Sequence, residues 1–129
     1  MKKVVVSFQN GLLAEAITAM LNDSGEFQTF CAPAKSKKID VASTCEMLSA
    51  DLVLMEVSYS AGTAVEVRRQ EARELRRRLP DCKIVLLCDE NSAPEIAREV
   101  MLAKKDGTID NFFYTSVTSK YLLAALIAL

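Results

Sequence analysis

Hydrophobic and polar positions along the chain follow two alternating periods, which predicts five strands separated by five helices. Short runs rich in β-branched and aromatic residues are nearly continuous in apolar positions, as expected for strands covered on both faces. The longer windows between them repeat apolar residues every three or four positions, which is typical of amphipathic helices. The predicted strands are residues 4–8, 27–32, 51–57, 83–88 and 109–114, and the predicted helices are residues 12–21, 37–49, 64–79, 92–105 and 118–129.

This order of elements predicts an α/β fold in a single domain, residues 1–129. Strands and helices that alternate through short connections favour right-handed crossovers and a parallel sheet. We expect a three-layer, flavodoxin-like arrangement with the strand order 2-1-3-4-5. Functional groups in such sheets collect at the carboxyl ends of the strands. The residues predicted to line the site are therefore 7–10, 56–63, 88–92 and 114–118.

Composition narrows the classes of function. The net charge of −1 gives no overall attraction to nucleic acid, so we expect DNA contact only through a domain outside this chain. Neither a signal peptide nor an apolar run of membrane-spanning length is visible, which predicts a cytoplasmic protein with no membrane partner. The absence of histidine excludes the usual catalytic triads. The cysteines lack CxxC spacing and are expected to be reduced and mostly buried; they are Cys31, Cys45, Cys82 and Cys88.

Two charged features are open to a functional and a structural interpretation. Glu56 lies near the end of the third predicted strand, and Asp89 follows the fourth. The two carboxylates could share a metal ion, but we favour the interpretation that both are solvated acids at strand ends. The third predicted helix interleaves six arginines with glutamates. That pattern favours a solvated, salt-bridged face over a site for an acidic partner or a phosphate backbone.

Five segments, in order and at matching spacings, are similar to those of one protein family. They are VVSFQNGLLAEAI from Val5, DLVLMEV from Asp51, ELRRRLPDCKIVLLC from Glu74, DNFFYTSV from Asp110 and TSKYLLAAL from Thr118. Over its whole length the chain resembles a bacterial two-component response-regulator receiver domain. The resemblance implies signal transduction rather than enzymatic catalysis.

The resemblance also assigns positions to the chemistry of the family, in which Mg²⁺ and a lysine neutralise the transferred phosphoryl group. The positions are Glu56 for the phospho-accepting aspartate, Phe8 and Gln9 for the acidic pair, Cys88 for a hydroxyl residue, Phe112 for the switch aromatic and Thr115 for the lysine. Phe8 cannot bind a cation, Gln9 offers a neutral oxygen, and Thr115 carries no charge. The departures imply a degenerate, pseudo-receiver type of domain that is independent of phosphorylation and needs neither Mg²⁺ nor another cofactor.

Two alternatives stay open. One is an active receiver that accepts a phosphoryl group at Glu56, with Mg²⁺ held by Glu56, Asp89 and Gln9. The other, the least favoured, is a small α/β enzyme that uses the strand-end crevice. Glu56 itself is interpreted as a solvated remnant in preference to a mimic of the phosphorylated state, because Thr115 provides no lysine to attract its carboxylate.

The last predicted helix is apolar almost all round, whereas a surface helix needs a polar face. We therefore expect a covering partner on this helix, with Leu122, Leu123, Leu126 and Ile127 as interface residues. The expected contact is with a protein partner or a second copy of the chain, as a homodimer, through the fourth helix, fifth strand and fifth helix. A DNA-binding domain that follows Leu129 and regulates transcription is the second expectation, and it rests on the resemblance.

Overall fold

The computed structural model describes residues 1–32, 40–58, 64–89 and 94–129. Strands and helices alternate along these ranges as the sequence predicts. The strands are β1 (Lys2–Ser7), β2 (Phe27–Cys31), β3 (Leu52–Val57), β4 (Lys83–Cys88) and β5 (Asn111–Tyr114). The helices are α1 (Gly11–Asp23), α2 (Val41–Leu48), α3 (Val65–Arg78), α4 (Pro94–Lys105) and α5 (Ser119–Ala128). The predicted starts of the second and fourth helices, at residues 37–39 and 92–93, and the predicted site residues 59–63 and 90–92 lie outside the described residues.

The strands form one parallel sheet in the order β2-β1-β3-β4-β5, which confirms the predicted topology. β1 lies between β2 and β3, and its residue Val5 is paired with Phe30 of β2 and with Val53 of β3. Each strand of a parallel pair must be reached by a crossover connection, and the helices provide these crossovers. The order of the strands changes direction beside β1, so the carboxyl ends of β1 and β3 flank the switch point.

Apolar residues from alternate positions of each strand form a separate core on each face of the sheet. Val4 and Val6 pack on the side of α1 and α5, whereas Val5 packs on the side of α2, α3 and α4. All three are essentially inaccessible to solvent. Burial on both faces is the reason that the strands read as continuous apolar runs rather than as alternating ones. The expected three layers are therefore observed.

Packing of α5 corrects the expectation that its leucines meet a partner. Leu122 and Leu126 are 3% and 1% exposed and belong to the core on the α1 and α5 side, and Leu123 packs partly against the same core. Leu122 and Leu126 are therefore unavailable to a partner in this fold. Of the predicted interface residues, Ile127 is the one with substantial exposure. The helix is apolar because it seals one end of the core, and its outward positions are occupied by residues such as Ala124 and Tyr121.

The charged helix α3 has the salt-bridged surface that its sequence predicts, with one exception described below. Arg69 bonds to Glu99 of α4 and to Asp106 beyond it, each at 3.1 Å. Arg78 donates to Glu74 at 2.7 Å, which is the i,i+4 pair visible in the sequence. The two Arg69 pairs connect α3 to α4 and to the residue that follows it, whereas the Glu74–Arg78 pair lies within α3. Exposed pairs of this kind contribute little free energy individually, so they orient the helix more than they stabilise it.

The N-cap of α2 generates a prediction about stability and pH. The Asp40 carboxylate accepts a 2.6 Å hydrogen bond from the backbone N–H of Ser43, and bonding to Ser43 holds the pKa of Asp40 below its usual range. We expect Asp40→Ala to lower the free energy of unfolding by about 1 kcal/mol at neutral pH. A lowered folded-state pKa stabilises the fold above the ordinary carboxyl pKa, and this stabilisation is lost as pH falls through the folded-state value.

Urea titrations over a range of pH values measure both effects. The gap in unfolding free energy between wild type and Asp40→Ala should narrow in acid. The matched control is Asp40→Asn, which keeps a capping acceptor but does not titrate, so its gap from Asp40→Ala should stay constant. A gap between wild type and Asp40→Ala that is independent of pH would show that the charge of Asp40 does not contribute.

Candidate functional site

The carboxylate of Glu56, near the end of β3, forms hydrogen bonds with the backbone of the connection between β1 and α1. Its Oε1 atom accepts hydrogen bonds from the backbone N–H of Gln9 at 2.7 Å and of Asn10 at 3.3 Å. The Asn10 side chain in turn caps α1 by accepting from the backbone N–H of Leu13 at 3.1 Å. Glu56 is only partly buried, yet it is not a freely solvated remnant, which corrects the favoured sequence interpretation. It stabilises a turn.

A buried arginine lies behind the same strand ends. The Arg68 side chain of α3 is 0% exposed, and its Nε donates to the backbone oxygen of Glu56 at 2.7 Å. Nη2 donates to the backbone oxygen of Ser7 at 2.8 Å, and Nη1 donates to the Ser7 hydroxyl at 3.1 Å and to Glu71 Oε1 at 3.2 Å. One guanidinium therefore joins α3 to the ends of β1 and β3. Among the described residues, Ser7 and Arg68 are the buried polar or charged ones, and they bond to each other.

Burial changes the electrostatics of this arginine and its partner. Loss of hydration lowers the pKa of Arg68, and the nearby carboxylates of Glu71 and Glu56 oppose that shift. Burial likewise raises the pKa of Glu71, and Arg68 opposes it. Arginine starts from such a high pKa that it keeps its charge in proteins. The strand-end site therefore contains a permanent cation, located on the α3 side of the sheet.

Sequence reasoning assigned Arg68 to the solvated face of α3, and the structure shows that this assignment is wrong. A signal was present in the spacing. The buried positions of α3 are Val65, Arg68, Ala72 and Leu75, which follow the three- and four-residue steps of an inward stripe. An arginine at an inward position, with a glutamate three residues later, indicates a buried ion pair rather than a surface one.

The positions that the resemblance assigns to Mg²⁺ binding provide few oxygen ligands. Phe8 is buried in the core on the α1 and α5 side, and it supplies no ligand atom. Gln9 is exposed, and its backbone N–H points at Glu56. Within the described ranges, no group of three or more histidine, cysteine or acidic side chains is arranged to hold a metal ion. Mg²⁺ is usually held through one or two carboxylates together with waters and substrate phosphates, and of the positions that the resemblance assigns to it, Glu56 supplies the carboxylate.

The predicted switch positions are divided between the two sides of the sheet. Cys88 is buried in the core on the α3 and α4 side, and burial raises the pKa of its thiol to about 12, so the thiol stays protonated and packs as an apolar group. Thr115 is exposed, and its backbone N–H donates to the Cys88 carbonyl at 2.8 Å. Phe112 is partly buried, in edge-to-face contact with Tyr114 at 5.8 Å between ring centroids. Lys104 lies over the Phe112 ring at 5.8 Å.

Solved structures with a similar fold include response regulators and proteins described as candidate pilus-assembly proteins. The chain aligns over 99% of its length with a DNA-binding response regulator of the LuxR family from Staphylococcus aureus (12% identity, TM-score 0.75, 98% of that chain covered). It also aligns over 99% of its length with the chemotaxis protein CheY4 from Vibrio cholerae (16%, 0.71, 98%) and with the response regulator RcsB from Salmonella typhimurium (17%, 0.74, 61%).

These likenesses show that the chain has the fold of response-regulator receiver domains, as the sequence resemblance implies. No protein-family model matches the chain, and no curated protein matches it either. In the part of the chain that the structure describes, no helix is both long enough and apolar enough to cross a bilayer. At identities below one fifth the likeness concerns the fold, so the function has to be argued from the strand-end geometry.

The role of Arg68 leads to a stability prediction. Arg68→Met removes the cation but leaves the Glu71 carboxylate and the strand-end oxygens of Ser7 and Glu56 partly buried without a donor. We expect a loss of about 3–5 kcal/mol in the free energy of unfolding, measured by urea denaturation. The matched control is Arg73→Met on the exposed face of the same helix, which should change stability by about 0.5 kcal/mol or less. Equal effects of the two substitutions would contradict the structural role of Arg68.

Proposed function

We propose that this chain is a signalling domain of the receiver fold that acts by protein contact and does not accept a phosphoryl group. The observation that carries the proposal is the double hydrogen bond from the Gln9 and Asn10 amides to the Glu56 carboxylate. It engages the one acidic group at the phospho-acceptor position in a structural role. Signal transduction itself is inferred from the class of proteins that share the fold.

Phosphoryl transfer depends on cations placed where negative charge accumulates, in front of the acceptor oxygen. Phe8 and Gln9 contribute no carboxylate at that place, and Thr115 contributes no cation. Arg68 is charged, but its side chain is fully enclosed and already donates to Ser7, Glu56 and Glu71. It cannot move to a phosphoryl group without leaving buried oxygens unpaired. We infer that neither Mg²⁺ nor another cofactor takes part.

The hydrogen bonds of Glu56 and Arg68 fix the positions of the elements around the strand ends. In a phosphorylated receiver, the phosphoryl group would control these positions. Glu56 ties the turn before α1 to β3, and Arg68 ties α3 to β1 and β3. These contacts are present in the unmodified chain. A ligand shifts a conformational equilibrium only by its difference in affinity for the two states. We therefore assign regulation to the binding of a protein rather than to covalent modification.

The surface proposed for that contact consists of α4, β5 and α5. Large apolar side chains of these elements are exposed, namely Met101, Leu102, Tyr114 and Tyr121. Exposed apolar area on this scale is typical of protein-binding surfaces. The contact is with a partner protein or with a second copy of this chain in the cytoplasm. We assign regulation of transcription to a further, DNA-binding domain, by analogy with the DNA-binding response regulator that shares the fold.

Titration with Mg²⁺ and beryllium fluoride tests the proposal. Nuclear magnetic resonance of the backbone amides of Gln9, Asn10 and Ser58 would report an acyl-phosphate mimic bound to Glu56. We expect no saturable shift in these signals, because the carboxylate is engaged and the nearby cation, Arg68, is enclosed and already donates to Ser7, Glu56 and Glu71. A saturable, Mg²⁺-dependent shift that Glu56→Gln abolishes would contradict the proposal and would support an active receiver that is phosphorylated on Glu56.

A further inference from the structure

Two cysteines meet in the core on the α2, α3 and α4 side of the sheet. Cys45 lies in the last turn of α2, and Cys82 directly precedes β4. They are 0% and 1% exposed and belong to the same apolar cluster, in which their thiols share a side-chain hydrogen bond. Both are free thiols. The pair lies where β3 and β4 begin, at the opposite edge of the sheet from Glu56, so it is separate from the strand-end site.

Backbone hydrogen bonds hold the two cysteines near one another. The Ala50 amide donates to the Cys45 carbonyl at 2.9 Å. The next residue, Asp51, accepts at its carbonyl from the Lys83 amide at 3.0 Å. The end of α2 and the start of β4 are therefore both bonded to the two residues that precede β3. Because Cys82 is the neighbour of Lys83 in sequence, these bonds bring its side chain to that of Cys45.

The two thiols differ in acidity in the way that dithiol chemistry requires. Hydrogen bonding to Cys45 lowers the pKa of Cys82. The charge of Arg76 lowers it further, whereas burial and the carboxylates of Asp51 and Asp110 oppose the shift. Hydrogen bonding to Cys82, together with burial, raises the pKa of Cys45. Since the thiolate is the nucleophile, Cys82 is the attacking thiol of the pair and Cys45 is the thiol that resolves the product.

We propose that Cys45 and Cys82 form a redox site that hydrogen peroxide converts to a disulfide. The Cys82 thiolate attacks one peroxide oxygen, so that an S–O bond forms and the O–O bond breaks. The departing hydroxide takes up the proton that Cys82 has lost and becomes water. The Cys45 sulfur then attacks the sulfenic sulfur of Cys82, and the hydroxyl group leaves as a second water with the Cys45 proton. Two thiols are oxidised by two electrons, and peroxide is reduced to two waters.

Cys82 belongs to a surface segment although its side chain points into the core. Pro80, Asp81 and Lys83 around it are exposed. Short surface connections open locally at a small cost in free energy compared with global unfolding. Hydrogen peroxide is little larger than water, so such an opening is enough to bring it to the Cys82 sulfur.

The other two cysteines provide comparisons within the same chain. Cys31 is exposed, and its sulfur lies 3.7 Å from the Thr18 hydroxyl oxygen. Cys88 is buried like the pair, and burial raises its pKa to about 12. Cys31 therefore reports the effect of exposure on oxidation, and Cys88 reports the effect of burial.

The disulfide would join α2 covalently to the connection between α3 and β4. A cross-link between positions distant in sequence restricts the unfolded chain and so stabilises the folded one. We expect the oxidised chain to unfold at a higher urea concentration than the reduced chain, and dithiothreitol to reverse the change. An unchanged urea midpoint in the linked chain would contradict this constraint on α2.

Hydrogen peroxide treatment of the full chain, followed by blocking of the remaining thiols, trypsin digestion and mass spectrometry, tests the proposal. Cleavage after lysine and arginine places Cys45 in the peptide 39–68 and Cys82 in the peptide 79–83. We expect these peptides to be joined with the loss of two hydrogen atoms, and to be separated by dithiothreitol. Cys31→Ser and Cys88→Ala should leave the link unchanged. In Cys45→Ala, which lacks the resolving thiol, dimedone should trap a sulfenic acid on Cys82.

Two results would overturn the proposal. One is that the peptides 39–68 and 79–83 stay unlinked at peroxide concentrations that oxidise Cys31. The other is that the disulfides formed join Cys31 or Cys88 instead of the pair. The digest of the wild-type chain decides between these outcomes without any substitution, so the test does not depend on the stability of a core variant.

Discussion

Arg68 brings a positive charge into the core where β1, β3 and α3 meet. Each nitrogen of its guanidinium donates a hydrogen bond to a neighbouring group. An isolated ion at this depth would oppose folding by several kcal/mol. The guanidinium instead donates to the backbone oxygens of Ser7 and Glu56, to the Ser7 hydroxyl and to Glu71. Because the first two are strand-end carbonyls, these bonds set where β1 and β3 end. The Glu56 side chain then reaches the Gln9 and Asn10 amides.

Charge at the strand ends thus joins neighbouring elements, which supports the proposal that this domain does not accept a phosphoryl group. A phosphoryl group needs cations on the side from which it arrives, and here the permanent cation is enclosed on the α3 side. On the opposite side Phe8 extends the apolar core and Thr115 is neutral. The receiver fold is kept, while the charged groups at the strand ends hold β1, β3, α1 and α3 together.

The architecture could be predicted from the sequence because it depends on periodicity, which is local. Runs such as Val4 to Val6 can only be strands covered on both faces, and the alternation with helices then restricts the sheet to a parallel order. Arg68 and α5 could not be placed in the same way, because their environment is set by tertiary packing. Because arginine is usually exposed, its residue type favours a surface position for Arg68, and the sequence analysis therefore placed it on the solvated face. Leu122 and Leu126 suggested an interface, yet both are buried in the core of the domain. The sequence pattern shows that the helix is apolar but does not show how much of it the rest of the fold covers.

Amide hydrogen exchange at Gln9 and Asn10 is the measurement that tests most directly whether Glu56 has a structural role. If its carboxylate holds the turn before α1, both amides should exchange slowly in the wild-type chain and in Glu56→Gln, which keeps an acceptor oxygen, and quickly in Glu56→Ala. The Leu13 amide, which bonds to Asn10, should follow more weakly. Fast exchange at Gln9 and Asn10 in the wild type, equal to that in Glu56→Ala, would contradict the assignment and leave Glu56 free for chemistry.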